Sequence, residues 1–190
     1  MIGIGVEVAV IRDAEILLIQ REDFEVWGLP GGESESGETL VQAAVREVFE
    51  ETGLTVRLTH LVGLYIKPRW PGDSVSAIFA AEIVGGELLQ STPEAIAMGF
   101  FSLATLPKQL IWWYRRPIED ALEGVGGSAV WTQDTSWPAD NPDRWELYRR
   151  RDASHLSRPE FFHHIFPIGN EAPEVERSRV QRRGLSSKES

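Results

Sequence analysis

The segment 32–54 constrains this chain more than any other part of its sequence. It fits the spacing G-x5-E-x7-R-E-U-x-E-E-x-G-U, in which U is an aliphatic residue, at every fixed position. From average residue usage, a chance match in a chain of 190 residues is on the order of one in ten million. The fixed positions are Gly32, Glu38, Arg46, Glu47, Val48, Glu50, Glu51, Gly53 and Leu54.

The second half of the segment has the local signals of a helix. Thr39 and Gln42 form a capping-box pattern, in which each side chain can bond the backbone amide of the other residue. Gly53 is placed to end the helix in a left-handed conformation. These signals predict a helix over residues 40–52. Apolar residues at helical spacing predict a buried stripe of Val41, Ala44, Val45, Val48 and Phe49.

Three carboxylates share one face of this predicted helix. Glu47, Glu50 and Glu51 stand at i, i+3 and i+4, where like charges repel one another. They could form a solvated acidic face, with Arg46 pairing to Glu50. They could instead bind a hard divalent cation, because Mg²⁺ prefers carboxylate oxygens. The glycine-rich stretch 27–32 directly before the helix favours the second interpretation, since glycines let the backbone approach a ligand closely.

The spacing and its glycine-rich approach are identified as those of the Nudix hydrolases, and weaker likeness extends over residues 3–122. The resemblance implies an α+β Nudix fold, an α/β/α sandwich with a mixed, partly curled β-sheet. It also implies that Mg²⁺ or Mn²⁺ is held by the Gly31 carbonyl and by the carboxylates of Glu47, Glu50 and Glu51.

Further roles follow from the same resemblance. Glu47 binds a second metal ion or orients the attacking water, and Arg46 orients Glu47. Glu38 ties the loop to the start of the helix. Gly32 and Gly53 are structural positions of the segment 32–54, which is called the box below. The catalytic set that it implies is Arg46, Glu47, Glu50, Glu51 and Glu94.

Glu94 is the member of that set that lies outside the segment 32–54. Relatives often carry an additional acid on the loop before the final strand, as general base or metal ligand, and the corresponding loop here is 90–98. Ala97 stands where many relatives have a second glutamate. A catalytic role for Glu94 and a solvated loop carboxylate therefore both remain open.

Candidate substrate-binding residues lie outside the box. Trp70 could stack on a base or a ribose, although packing within its loop is an equal alternative. Lys67 and Arg69 beside it could meet terminal phosphates, since arginine gives bidentate contacts. Arg21, at the end of the second predicted strand, is a further candidate.

The remaining sequence suggests how the chain is organised. A β-hairpin is predicted over 3–12 and 16–21, strands over 56–66 and 75–83, and a helix over 117–123 that ends at Gly124. We expect a Nudix domain over 1–124. Residues 125–169 are too aromatic to be disordered, and we expect an extension, helical near 145–151, packed on the core or a subunit interface. The polar segment 170–190 is expected to be a mobile tail.

Composition excludes several classes of function. The chain has no cysteine, which rules out disulfides and thiolate zinc sites. It shows no signal-peptide pattern and no apolar run of the ~18 residues that a membrane span needs, so we expect a cytoplasmic protein without a membrane partner. A net charge of −10 argues against duplex nucleic acid. It permits a nucleotide substrate, because bound cations dominate the local charge.

The function implied by the resemblance is metal-dependent hydrolysis of a phosphoanhydride bond in a nucleoside diphosphate linked to another moiety. Nucleoside triphosphates, ADP-ribose, dinucleoside polyphosphates and nucleotide sugars all remain open as substrates, and the aromatic extension could pair two subunits in a homodimer. The alternative is a non-catalytic module that binds a nucleotide as a sensor or regulator. The complete box argues against that alternative, because such modules usually lose box carboxylates.

Overall fold

The computed structural model describes residues 4–71 and 74–175, and these form a mixed β-sheet with helices on both faces. The strands are β1 (Ile4–Arg12), β2 (Glu15–Arg21), β3 (Trp27–Gly28), β4 (Gly31–Glu33), β5 (Leu54–Lys67), β6 (Ser74–Gly86), β7 (Ala95–Phe101), β8 (Ala129–Gln133) and β9 (Glu171–Pro173). The helices are α1 (Leu40–Thr52), α2 (Arg115–Glu123), α3 (Arg144–Ala153) and α4 (Arg158–Ile165), and a 3-10 turn (Trp112–Tyr114) precedes α2.

Strand β1 is shared by the two parts of the sheet. It pairs in parallel with β6 and antiparallel with β4, and its last residues pair with the start of β2. Strand β2 continues away from β1 and pairs antiparallel with β3 and β7. The longest path through the sheet is β3-β2-β1-β6-β5-β8-β9, and the sheet is not closed. The pairing with β1 places β4, and therefore the glycine pair that begins it, at the N-terminal half of β1.

Alternate residues of the central strands face two separate hydrophobic clusters. On one face, Val6, Val8 and Val10 of β1 pack with α1, and on the other Ala9 packs with α2. This alternation is the two-residue period of a strand buried on both sides. The sandwich of helix, mixed sheet and helix that the box implied is confirmed.

The elements predicted from local signals are present with small differences at their ends. Helix α1 has the predicted bounds, both bonds of the Thr39–Gln42 capping box, and Gly53 in the left-handed conformation. The hairpin of β1 and β2 is present, although Gly3 lies outside the described residues. Strands β5 and β6 and helix α2 are longer than predicted.

The predicted apolar stripe of α1 is wrong at two positions. Val41 and Phe49 are 53 % and 56 % exposed, whereas the buried residues of the helix are Ala43, Ala44, Val48, Glu51 and Thr52. The helix is therefore rotated so that small alanines approach the sheet and Glu51 turns inward. The physical reason is a tertiary contact, because the Gly31 N–H of β4 donates to the Glu51 carboxylate inside the fold.

Residues 125–169, which we call the C-terminal extension, contribute strand β8 and helices α3 and α4. Strand β8 pairs in parallel with β5. A third hydrophobic cluster joins the extension to the segments before β3 and α2 through Phe24, Val26, Ile111, Trp113, Leu147, Phe161, Phe162 and Phe166. The segment predicted as a tail begins with β9, and its residues 176–190 lie outside the described part of the chain.

Across the described residues, no helix combines the length and the apolar character that crossing a membrane requires.

Candidate active site

The glycine pair that begins β4 brings the backbone into contact with α1. Gly31 has a φ of 150°, a conformation that side chains rarely adopt. A β-carbon at this position would lie 2.1 Å from the Val6 carbonyl oxygen, so the close pairing of β4 with β1 requires glycine. In this position the Gly31 N–H donates to Oε2 of Glu51 over 2.8 Å. Two predicted metal ligands, Gly31 and Glu51, are thus adjacent.

Glu51 is a buried carboxylate whose surroundings disfavour its negative charge. The residue is only 6 % exposed. Burial, together with the nearby charges of Glu47 and Glu94, raises the pKa of Glu51 to about 8, against the opposing effect of the Gly31 N–H and of Arg21. Burial also raises the pKa of Glu47. A cation at this point would offset both effects, because an opposite charge favours ionised carboxylates.

Arg46 organises the remaining carboxylates of the box. Its guanidinium donates to Glu38 from Nε and Nη2, over 3.0 and 2.9 Å, and to the Glu33 carbonyl over 3.1 Å. Its Nη1 donates to Glu47 over 2.9 Å and to Glu50 over 3.0 Å. Glu38 in turn accepts from the Glu35 N–H, which ties the loop to the helix. One guanidinium therefore fixes Glu47 and connects it to the loop.

The predicted metal ligands are not gathered around one point. Among residues 4–71 and 74–175, no group of three or more histidine and acidic side chains is arranged to hold a metal ion. Glu47 and Glu50 point to Arg46, and Glu51 points to Gly31. The donor set nevertheless fits Mg²⁺ or Mn²⁺, because it consists of oxygens and includes the buried Glu51 carboxylate, which pairs directly with no cationic side chain among the described residues.

Glu94 lies beside this cluster. Its side chain lines a cavity of about 180 Å³, the acidic cavity, together with Glu51, Arg21, Glu22, Asp23, Pro93, Arg144 and Tyr148. The loop that carries it is held by the Glu22 N–H, which donates to the Glu94 carbonyl over 2.9 Å. The structure therefore places Glu94 near Glu51, whose pKa its charge raises.

Gly31 and Gly32 line a larger cavity of about 420 Å³, the aromatic cavity. This volume is within the range of small-molecule sites. Its aromatic walls are Phe24, Trp70, Trp113, Tyr114, Trp137, Phe162 and Phe166, and its polar side chains include Glu7, Arg21, Lys67, Ser76 and Arg144. Larger clefts among the described residues, such as one of about 620 Å³ beside Trp112, contain none of the carboxylates of the segment 32–54.

The predicted substrate-binding residues are placed differently with respect to this cavity. Lys67 and Trp70 line it, and Arg21 lines both cavities. Lys67 is nearly fully buried and donates to Ser76 Oγ over 3.0 Å, so it is part of the cavity wall. Arg69 does not line the aromatic cavity, and its exposed guanidinium pairs with Asp134.

Sequence reasoning missed several polar residues of the site. Glu7 accepts from Ser76 over 3.0 Å and from Tyr114 over 3.3 Å, while its Oε2 is buried with no hydrogen-bond partner among the described residues. The sequence contained a signal for Glu7, because this charged residue interrupts an otherwise apolar predicted strand. Asp23 and Arg144 gave no signal, since they meet only through packing of the extension.

Comparisons with known proteins show the family of the chain. The NUDIX domain model matches residues 1–121. The chain is 38 % identical over 130 residues to the ADP-ribose pyrophosphatase of Methanocaldococcus jannaschii, a match that covers 66 % of this chain and 76 % of that protein. It is 32 % identical over 132 residues to a candidate 8-oxo-dGTP diphosphatase of Bacillus subtilis, covering 69 % and 87 %.

A solved structure shares the fold as well. The crystal structure of an ADP-ribose pyrophosphatase from Streptococcus suis superimposes with a TM-score of 0.57 at 28 % sequence identity. The superposition covers 65 % of this chain and 91 % of that one.

Proposed function

The chain belongs to the Nudix family and is a Nudix hydrolase, and we propose that it cleaves a phosphoanhydride bond with the help of a divalent metal ion. The substrate in this proposal is a nucleoside diphosphate linked to another moiety. The observation that carries the proposal is the buried Glu51 carboxylate at the glycine pair, with Glu47 and Glu94 close enough to raise its pKa.

The carboxylates would divide the work between them. Glu50, Glu51 and the Gly31 carbonyl would hold Mg²⁺ or Mn²⁺, and Glu47 would hold a second ion or orient the attacking water. When bound, such an ion supplies charge neutralisation on the phosphate oxygens and makes a bound water more acidic. Arg46 keeps the Glu47 carboxylate in one position through the 2.9 Å contact, which limits the directions from which water can be presented.

The attacking water must lose a proton during the reaction. Glu47 and Glu94 are the two carboxylates that could accept it. Each lies near Glu51, and neither belongs to the set of Glu50, Glu51 and the Gly31 carbonyl that would hold the first metal ion. Glu94 lines the acidic cavity together with Glu51, which suits it to this role.

The substrate of this enzyme follows from the walls of the site and not from the box. The two relatives above are named for 8-oxo-dGTP and for ADP-ribose, which are both nucleotides with a phosphoanhydride bond. We propose that Arg21, Lys67 and Trp70 take part in substrate binding, because all three line the aromatic cavity. Arg69 does not line this cavity and pairs with Asp134, which argues against direct contact with a substrate there.

A hydrolysis screen tests the proposal. The purified chain would be incubated with Mg²⁺ and with ADP-ribose, 8-oxo-dGTP, a dinucleoside tetraphosphate or a nucleotide sugar, and the products would be identified by chromatography. We expect cleavage between two phosphorus atoms in at least one class. Intact substrates in every class, with a folded protein and added metal, would contradict the proposal.

A further inference from the structure

We propose that Arg144, which the C-terminal extension supplies, binds a phosphate group of the substrate, so that the extension completes the substrate site. This inference rests on the proposed function. It assigns a role to a part of the chain beyond residues 1–121, to which the family model is matched.

Arg144 occupies the junction between the two cavities. It lines both the aromatic cavity and the acidic cavity that contains Glu51 and Glu94. It is the first residue of α3, directly after the N-cap Asp143, whose side chain accepts from the Glu146 N–H. The cap fixes the start of the helix, and with it the point from which the Arg144 side chain extends.

The hydrogen bonds of Arg144 leave some of its N–H donors available to a ligand. Its side chain is 65 % exposed, although it lies beside two cavities. Nε donates to the Tyr148 hydroxyl over 2.5 Å, and Nη2 donates to Asp23 over 3.3 Å. An arginine carries five N–H donors in a planar fork, so these two contacts orient the group without occupying it fully.

Asp23 is already neutralised by another guanidinium. Arg21 donates to both of its oxygens, over 3.0 and 2.6 Å. Burial alone would raise the pKa of Asp23, but the contacts with Arg21 and Arg144 outweigh it and hold the pKa below its ordinary value. Asp23 therefore faces two guanidinium groups, and Arg144 has only the longer contact with it, over 3.3 Å. The remaining N–H donors of Arg144 can form charge-assisted hydrogen bonds with a phosphate oxygen.

The aromatic cavity identifies the rest of the ligand. Trp70 and Trp113 come from the first part of the chain, while Trp137 and Phe166 come from the extension. Trp70 packs edge-on against Trp113 and Trp137, with ring centroids 5.5 and 4.9 Å apart. Aromatic walls of this kind bind planar rings. A nucleotide with its base in this cavity would direct its phosphates past Arg144 toward the box carboxylates.

The test compares a nucleotide with its nucleoside. Binding of ADP, GDP, adenosine and guanosine would be measured by titration calorimetry for the wild type, Arg144→Ala, Arg144→Lys and the control Arg149→Ala. Arg149 is on the same helix, equally exposed, and pairs with Glu146 away from both cavities. KM and kcat would be measured on the best substrate of the hydrolysis screen.

We expect Arg144→Ala to weaken ADP or GDP binding by about 10- to 100-fold, the loss of a charge-assisted contact, and to leave nucleoside binding unchanged. KM should rise by a similar factor with a smaller change in kcat. Arg144→Lys should retain part of the affinity, and Arg149→Ala all of it.

Three results would overturn the inference. The first is equal affinity of the wild type and Arg144→Ala for the diphosphates. The second is an equal loss of nucleotide and nucleoside binding, which indicates that Arg144 only holds α3 in place. The third is a wild type that binds neither diphosphate. Failure of the proposed function is a separate result. It would appear as an absence of hydrolysis in the screen, whereas the titrations measure binding and do not depend on turnover.

Discussion

The Glu47 carboxylate occupies the space that a side chain on residue 32 would need, so Gly32 lets the two groups lie in contact. A β-carbon on Gly32 would lie 2.6 Å from Oε1 and 2.8 Å from Cδ of Glu47. Real β-carbons do not approach other atoms so closely, so one of the two groups would have to move. The end of a glutamate side chain moves more easily than a paired strand. The glycine therefore controls the position of the Glu47 carboxylate, for which we propose a catalytic role.

Replacing Gly32 should consequently impair turnover more than stability. We expect Gly32→Ala to lower kcat by about 100-fold, since displacements near 1 Å in an active site have effects of this size. Gly85→Ala is a matched control, because its β-carbon would meet only Thr55 at 3.8 Å, an ordinary contact. Steady-state kinetics and thermal melting of both variants check this. A kcat of Gly32→Ala equal to that of the wild type would show that the close contact between residue 32 and the Glu47 carboxylate has no role in catalysis.

Arg46 provides a second test of how Glu47 is held. Arg46→Met removes the contacts to Glu38, Glu47 and Glu50 together. We expect kcat to fall by about 100-fold with a smaller change in KM, and the free energy of unfolding to fall by about 1–3 kcal/mol. Stopped assays and urea denaturation measure the two quantities.

Arg57→Met is the control for the loss of an arginine. Arg57 pairs with Glu82 on the surface, where its side chain is 72 % exposed. Exposed pairs contribute about 0–1 kcal/mol, so both kcat and stability should change little. If Arg46→Met behaved like this control, the network around Arg46 would have no role beyond a surface ion pair.

Local signals predicted the parts of this molecule that local interactions determine. The bounds of α1 follow from Thr39, Gln42 and Gly53, which act within a few residues of one another. The rotation of the same helix could not be predicted, because Val41 and Phe49 are left exposed by the way the sheet approaches. The box therefore located the carboxylates without showing which of them is buried.

The walls of the aromatic and acidic cavities were harder to predict than the box. Asp23 and Arg144 are 121 positions apart, and their contact depends on the third hydrophobic cluster, where Phe24 packs against Phe161 and Phe162. No spacing rule connects such residues. Trp70, Lys67 and Arg69 are neighbours in the sequence and were chosen for the chemistry of their side chains. Trp70 and Lys67 line the aromatic cavity, whereas Arg69 faces Asp134.

The wall of the aromatic cavity contains a buried charge network that should be sensitive to mutation. Lys67 donates to Ser76, which donates to Glu7, each over 3.0 Å. Burial lowers the pKa of Lys67, and the nearby Glu7 opposes this change. We expect Lys67→Met to lower the free energy of unfolding by about 3 kcal/mol, because it leaves the Glu7 charge buried without its partner.

A double variant separates charge imbalance from lost packing. Adding Glu7→Gln to Lys67→Met should recover at least half of the loss, since it removes the uncompensated charge. Lys108→Met, at an exposed position, should change stability by no more than about 0.5 kcal/mol. Chemical denaturation provides all three values. A double variant less stable than Lys67→Met would rule out charge compensation between the two residues.

The most direct test of the central claim is the rate of substrate hydrolysis by wild type and Glu51→Gln, with added Mg²⁺ and with EDTA. Glutamine can still accept from the Gly31 N–H, so the fold and the melting temperature should be retained. We expect the wild type to need the metal ion, and Glu51→Gln to lose about three orders of magnitude in kcat, or ~4 kcal/mol of transition-state stabilisation, while the exposed control Glu35→Gln stays active. Hydrolysis in EDTA at the full rate, or a Glu51→Gln variant as fast as the wild type, would contradict the account.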